Sequence, residues 1–339
     1  MPIKSALVYA GIAVLAVVTL IVAWYALDVL LLGFIGVLVA ILLRAPADAL
    51  AARTPLSPNL SLAIVCVIVF AGLGALLWLF GRTIAAQSLE LFDRLPQIIE
   101  TAKEGLRSTD AGERAVRLAE ESGALESSQG HFLGRGLGMI GATFGALAHM
   151  VIIIFFGVFL AAQPKIYIRG ILHLVPKPQR PRARELLGEM GSVLRRWLVG
   201  QSLLAAVVAT ITGVGLMLIG APFALPLAIL AGLMEFVPYI GPFVSAVPAI
   251  VIGFGEGAQV ALWIALLYLA VQVLESYILA PLIQHRAVEL APALVLFAQV
   301  LMGVLAGPLG VVVATPLAAV TLVAVKMLYV EDGLGDEAV

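Results

Sequence analysis

Long apolar stretches dominate this chain, interrupted by two polar segments. Apolar residues fill positions 6–27, 29–43, 60–81, 137–162 and 199–220. A membrane-spanning helix needs about 20 apolar residues, so these runs read as membrane elements. The first two are separated only by Asp28 and read as a tight helical hairpin turning outside the membrane. Beyond position 220 nearly every residue is apolar, but Pro, Gly and lone polar residues cut the sequence into 225–253, 258–280 and 292–329. The pattern predicts an all-α, polytopic integral membrane protein. It has about eight membrane elements, two of them (225–253 and 292–329) broken or hairpin-like, plus a small extramembrane helical insert.

The polar segments set the domain plan. Residues 1–81 form an N-terminal three-span segment, 82–136 the insert, 137–162 the fourth span, and 163–198 a loop. Residues 199–330 form a core holding the two broken elements and 331–339 an acidic tail. The insert carries seven basic and nine acidic residues, and the loop eight basic residues against Glu185 and Glu189. Cytoplasmic loops are enriched in Lys and Arg, so the loop is expected in the cytoplasm and the insert outside. By the same count Arg44, Arg53, Lys4 and the N-terminus are expected in the cytoplasm. Within the loop, Leu186, Leu187, Met190, Val193, Leu194, Trp197 and Leu198 keep a 3.6-residue period. This predicts an amphipathic helix lying in the membrane interface and feeding the fifth span. The insert's apolar residues also keep helical spacing, and a homo-oligomer would give them a surface to cover.

Composition fits this class. Hydrophobic residues make up 62% and charged residues 12%, about half the usual charged share. Mean hydropathy is +1.10. The net charge of −1 offers no basic field for nucleic acid. Cys66 is the only cysteine, which excludes a disulfide framework and a cysteine metal site. No P-loop, G-x-S-x-G or H-E-x-x-H pattern occurs. No cofactor, metal or enzymatic activity is therefore expected. The first apolar run is too long for a signal-peptide core and reads as a retained span.

The candidate chemistry lies in the broken elements. Pro226 and Pro242 are sixteen residues apart, as are Pro292 and Pro308, and the second pair repeats the first at an offset of sixty-six. Gly241 and Gly307 precede the second proline of each pair. Proline breaks helices, and a broken helix in hydrocarbon must line protein or a wet cavity. Paired breaks point to a transporter binding site. In the first, Glu235-Phe236-Val237-Pro238-Tyr239-Ile240-Gly241-Pro242 sets a carboxylate beside unwound backbone. An ionisable group there is a functional candidate, for a proton or cation, and the unwound carbonyls could hold a cation. Tyr268, Gln272 and Glu275, spaced by four and three, share one helical face. Glu275 could pair with Arg286. Gly72 and Gly74, or Gly134, Gly136, Gly138 and Gly141, suit close helix contact.

The stretch from Glu235–Pro242 through Gln272-Val273-Leu274-Glu275, Pro281, Pro292, Gly307-Pro308-Leu309-Gly310 and Ala314-Thr315-Pro316 resembles the bacterial autoinducer-2 exporter family. The resemblance implies an eight-span, permease-like protein of the inner membrane. It implies export of autoinducer-2 or, in some members, sodium or lithium exchange for protons. It carries over to Glu235, Pro238, Gly241, Pro242, Gln272, Glu275, Gly307 and Pro308. Ser276, where the family often has asparagine, and Ala291, where a polar residue usually precedes the proline, depart from it.

The resulting expectation is a secondary transporter in the lipid bilayer, moving a small polar solute or a monovalent cation against protons. Its site would be built on the two breaks, with Glu235, Pro238, Gly241, Pro242, Tyr268, Gln272, Glu275, Gly307 and Pro308. The alternative is a non-transporting membrane scaffold or partner-binding protein acting through the 82–136 insert.

Overall fold

The computed structural model describes residues 2–72, scattered positions between 74 and 97, and residues 150–284 and 290–335. Most of the 82–136 insert, the first half of the fourth span, Arg286 and the glycines from 134 to 141 lie outside the described residues. Every regular element described is a helix. They are α1 (Pro2–Arg53), α2 (Pro58–Gly72), α3 (Met150–Ala162), α4 (Pro164–His173), α5 (Arg180–Ile219), α6 (Ala224–Met234), α7 (Ile240–Glu256), α8 (Ala258–Leu274), α9 (Ala280–Gln284) and α10 (Pro292–Ala324). Among them Val29–Arg53, Lys177–Ile219, Ala258–Ile283 and Pro292–Leu334 are long and apolar enough to cross a membrane; α3 and α4 would add a fifth if counted as one bent span.

Helix α1 corrects one expectation. It is a single rod of 52 residues, about 78 Å along its axis, and no turn forms at Asp28. A lone Asp between Leu27 and Val29, without Gly or Pro, costs a helix a fraction of a kcal/mol, roughly 0.5, which a continuing hydrogen-bond ladder overcomes. The two short spans are therefore one helix, and Lys4 and Arg44 do not lie side by side on a hairpin.

Helix α5 is the axis of the bundle. Pro181 opens its first turn and Gly220 ends it at φ 74°. The amides of Gly220 and Ala221 bond back to the carbonyls of Met217 and Leu216, a left-handed cap that suits glycine. The stripe 186–198 continues into this helix without a break, and its apolar side packs on protein. Leu194, Trp197 and Leu198 meet Leu38 of α1, while Val193 meets Ala319, Val323 and Met327. Further along, Leu204 and Val208 pack on Val271 of α8, and Leu216 joins Leu227, Ile252 and Ile264. Periodicity showed that one face of 186–198 is covered; the cover is α1 and α10 rather than lipid. Arg195 fixes the end of α1 to this same region, donating to the carbonyl of Ala45 at 3.0 Å and lying 3.7 Å from Asp48.

Helices α1, α2 and α3 form a second cluster through Ala40, Leu43, Leu62, Val65 and Ala161. Close approach here involves Gly157, where an added Cβ would strike Val39. Gly72 and Gly74 have nothing within 4 Å among the described residues.

Both broken elements double back on themselves. A Cβ on Gly241 would collide with the carbonyl of Met234, and one on Gly310 with that of Met302. Along one continuous helix, residues seven or eight apart are separated by about 10–12 Å, so contact between them means a reversal. The first hairpin is α6 and α7 joined by residues 235–239. The second lies within α10, where Ala306 (φ −138°) and Gly307 (φ 60°, ψ −148°) leave helical geometry. Its arms are 292–305 and 308–324. The arms of the first hairpin and the first arm of the second do not exceed 17 residues, about 25 Å, short of a hydrocarbon core of about 30 Å, while the second arm of the second hairpin runs on through the helical residues Val325–Leu334.

Candidate functional site

The first hairpin's break is held from inside and outside. The amides of Phe236, Val237 and Gly241 bond to the carbonyls of Leu233, Met234 and Val237. Pro238 accepts the amide of Ile240 at 2.8 Å across Tyr239, whose φ of 64° and ψ of −52° are close to a γ-turn of the rare, strained hand (about +75°, −65°). Two buried amide side chains complete the set. Gln201 of α5 donates from Nε2 to the Glu235 carbonyl, and Gln299 of α10 donates from Nε2 to the Pro238 carbonyl at 2.8 Å. The carbonyls that the sequence offered as cation ligands are thus largely occupied by protein donors. Recognition at this break falls to side chains.

Those side chains face a cavity of about 290 Å³. Trp197, Gln201 and Leu204 line it from α5, and Glu235, Pro238 and Tyr239 from the break. Gln272, Glu275 and Ser276 come from the end of α8, and Val295 and Thr315 from the two arms of α10. Glu235 is only 3% exposed, and its carboxyl group lies beside that of Glu275, close enough for the two to interact. Glu275 begins a π-helical turn, Glu275–Leu279, a local widening frequent at functional sites. In that turn Gln272 donates from Nε2 to Ser276 Oγ at 3.3 Å. Thr315 is buried, and its hydroxyl finds no hydrogen-bond partner among the described residues. The described lining therefore offers two carboxyl groups, amides and hydroxyls, and no cationic side chain. Two carboxylates this close repel, so a hydrogen bond between them needs a proton on one.

Residues 13–329 match the family model for AI-2E family transporters. The chain belongs to the AI-2E transporter family. Its relatives include YrrI of Bacillus subtilis (strain 168), named as a transport protein, 26% identical over 269 residues that cover 77% of this chain and 76% of the relative. MT0215 of Mycobacterium tuberculosis (strain CDC 1551 / Oshkosh), also named as a transport protein, is 28% identical over 314 residues, 90% of this chain and 85% of the relative. YhhT of Escherichia coli (strain K12), named likewise, is 31% identical over 125 residues, 37% of this chain.

In this member of the AI-2E transporter family the expected site residues divide. Glu235, Pro238, Gln272 and Glu275 come together around the cavity. Gly241 and Pro242 lie in the first turn of α7, where Gly241 lets the two arms touch. Gly307 and Pro308 form the tip of the second hairpin and are not among the cavity's lining residues. Tyr268 shares a helical face with Gln272 but packs against the Leu216 cluster, and its buried hydroxyl has no partner among the described residues. Ser276, one of the two departures from the family pattern, lines the cavity, while Ala291 caps α10. Sequence reasoning passed over Gln201 and Gln299, and named Thr315 only within a motif, without a role at the site. Their signal was present: each is a polar residue in an apolar run.

Proposed function

We propose that this family member is a secondary transporter, acting as a permease rather than an enzyme. Its substrate site is the cavity between α5, the first hairpin and the end of α8. The observation that carries this reading is the neighbouring carboxyl pair Glu235–Glu275 lining a cavity of about 290 Å³ beside a strained break. A site of carboxyl and hydroxyl groups favours a monovalent cation exchanged for a proton, or a neutral hydroxylated solute of autoinducer-2 size. The pair would give up its proton as the substrate enters, and movement of the two hairpins against the α5 axis would alternate access. In this reading the end of the bundle that carries 163–196, Arg44 and Arg53 faces the cytoplasm of an inner membrane, and the charge bias of 163–196 supports it. The transport direction in this reading is export, and assembly into a homo-oligomer would use the 82–136 insert.

The test is flux in proteoliposomes screened against autoinducer-2, sodium, lithium and protons. Glu235→Gln should abolish coupled flux of the responding species while leaving expression and assembly intact. Unchanged flux would remove the pair from the mechanism.

A further inference from the structure

We propose that α4 lies flat on the membrane at the basic end of the bundle and binds the headgroups of anionic phospholipids. Three independent features of the chain converge on it.

The first is direction. Helix α4 turns 84° away from α3 after a single residue, Gln163, with Pro164 starting the new helix. Helix α3 packs on α1, which holds a membrane-crossing stretch. A helix perpendicular to α3 therefore runs in the plane of the bilayer. The position is fixed: Leu172 is buried, and Arg180 of α5 donates to the carbonyls of Val175 and His173.

The second is the apolar face. Pro164, Tyr167, Ile168 and Ile171 recur at spacings of three and four and form one stripe. Ile171 is 49% exposed and the following Leu174 86%. The surface continues around the corner from α3, where the exposed rings of Phe155 and Phe159 stack with centroids 6.4 Å apart. An exposed apolar stripe joined to a membrane-facing one needs the same cover.

The third is charge. No acidic residue occurs between Gln163 and Arg184. Arg182 is neutralised by Glu185, Glu331 and Asp332. Lys165, Arg169, Lys177 and Arg184 are exposed and have no carboxylate partner among the described residues. Lys165 and Arg169 lie on α4 away from its apolar stripe. An apolar stripe with unpaired cations on the other side suits a bilayer surface carrying negative headgroups.

The test uses the full chain with Cys66→Ser and a single spin label at Ile171→Cys or Arg169→Cys, reconstituted in phosphatidylcholine alone or with 30% phosphatidylglycerol. The label at 171 should report the headgroup–acyl boundary by oxygen and nickel accessibility, and the label at 169 the aqueous side. Phosphatidylglycerol should be enriched severalfold around the label at 171. Lys165→Gln/Arg169→Gln/Lys177→Gln should abolish that enrichment without changing the depth. A label at 171 in bulk water, or one shielded from both quenchers by a protein partner, overturns the proposal. So does enrichment that survives the triple substitution.

Discussion

Gln299, in the first arm of the second hairpin, donates a hydrogen bond from Nε2 to the carbonyl of Pro238, 2.8 Å away in the break of the first. The bond joins two elements sixty-one residues apart at the point where the backbone is most strained. Tyr239, the next residue, has φ 64°, a conformation costing a bulky side chain on the order of 1–3 kcal/mol. Such strain persists only when neighbours impose it. Gln299 on one side and Gln201 on the other are the neighbours that do so, and both act on the segment that carries Glu235.

Removing that donor should therefore affect both stability and transport. Gln299→Leu roughly keeps the volume and leaves the Pro238 carbonyl with only the Ile240 amide, a loss of about 0.5–1.5 kcal/mol partly offset because the buried Gln299 Oε1 has no partner among the described residues. The thermal midpoint of purified protein should fall, and flux should fall at least tenfold as the segment carrying Glu235 relaxes. A variant with the wild-type midpoint and flux would show that the turn holds without Gln299.

The carboxyl pair makes a separate prediction. A hydrogen bond between Glu235 and Glu275 contains one exchangeable proton. Glu275→Gln supplies an amide donor in place of the protonated carboxyl and keeps the contact. It cannot release that proton. In lightly buffered vesicles with a trapped pH dye, wild-type protein should release protons when the transported species is added, and the variant should not. Equal release from both would mean that the exchanged proton sits elsewhere.

The proline spacing in the sequence revealed both breaks, because Pro and Gly act on the backbone locally, but left open whether each element crosses or doubles back. It did not show how the two copies divide the work. Gly241 provides close approach between arms while Tyr239 bears the positive φ; in the second copy Gly307 bears the positive φ while Gly310 provides the approach. Gln201 and Gln299 escaped notice because their partners are backbone carbonyls far along the chain, and no local pattern encodes such a pairing. Tyr268 was grouped with Gln272 and Glu275 because helical spacing gives a face but not the depth at which a cavity ends. The stripe at 186–198 gave an apolar side without saying whether lipid or protein covers it.

The two close approaches predict the opposite sign from an open helical glycine for the same substitution. Gly241→Ala or Gly310→Ala would drive a methyl group into a backbone carbonyl that cannot move without opening the hairpin, at a cost of about 1–3 kcal/mol or more. Folded yield and thermal midpoint should drop for each. Gly188 sits inside α5 with nothing within 4 Å of an added Cβ. Gly188→Ala should raise the midpoint, since Ala is favoured over Gly in a helix by about 1 kcal/mol. Equal effects at all three positions would refute the hairpin packing.

The last contact tested closes the far end of the second hairpin. Arg182, in the first turn of α5, donates to Asp332 (2.9 Å), Glu331 (2.7 Å), Glu185 (2.9 Å) and the carbonyl of Met327 (3.0 Å). It thereby clasps the π-helical segment Val325–Leu334 that continues the hairpin's outer arm. The groups are partly exposed, so salt should weaken them, yet one planar guanidinium serving four acceptors cannot be replaced by a single neutral donor. Arg182→Gln should free this segment and raise the rate of tryptic cleavage after Lys326 severalfold at low salt. Wild-type protein in 1 M sodium chloride should approach the same rate, and the variant should respond little to salt. Cleavage independent of both the substitution and the salt would mean that the segment is held by Met327 and its apolar neighbours alone.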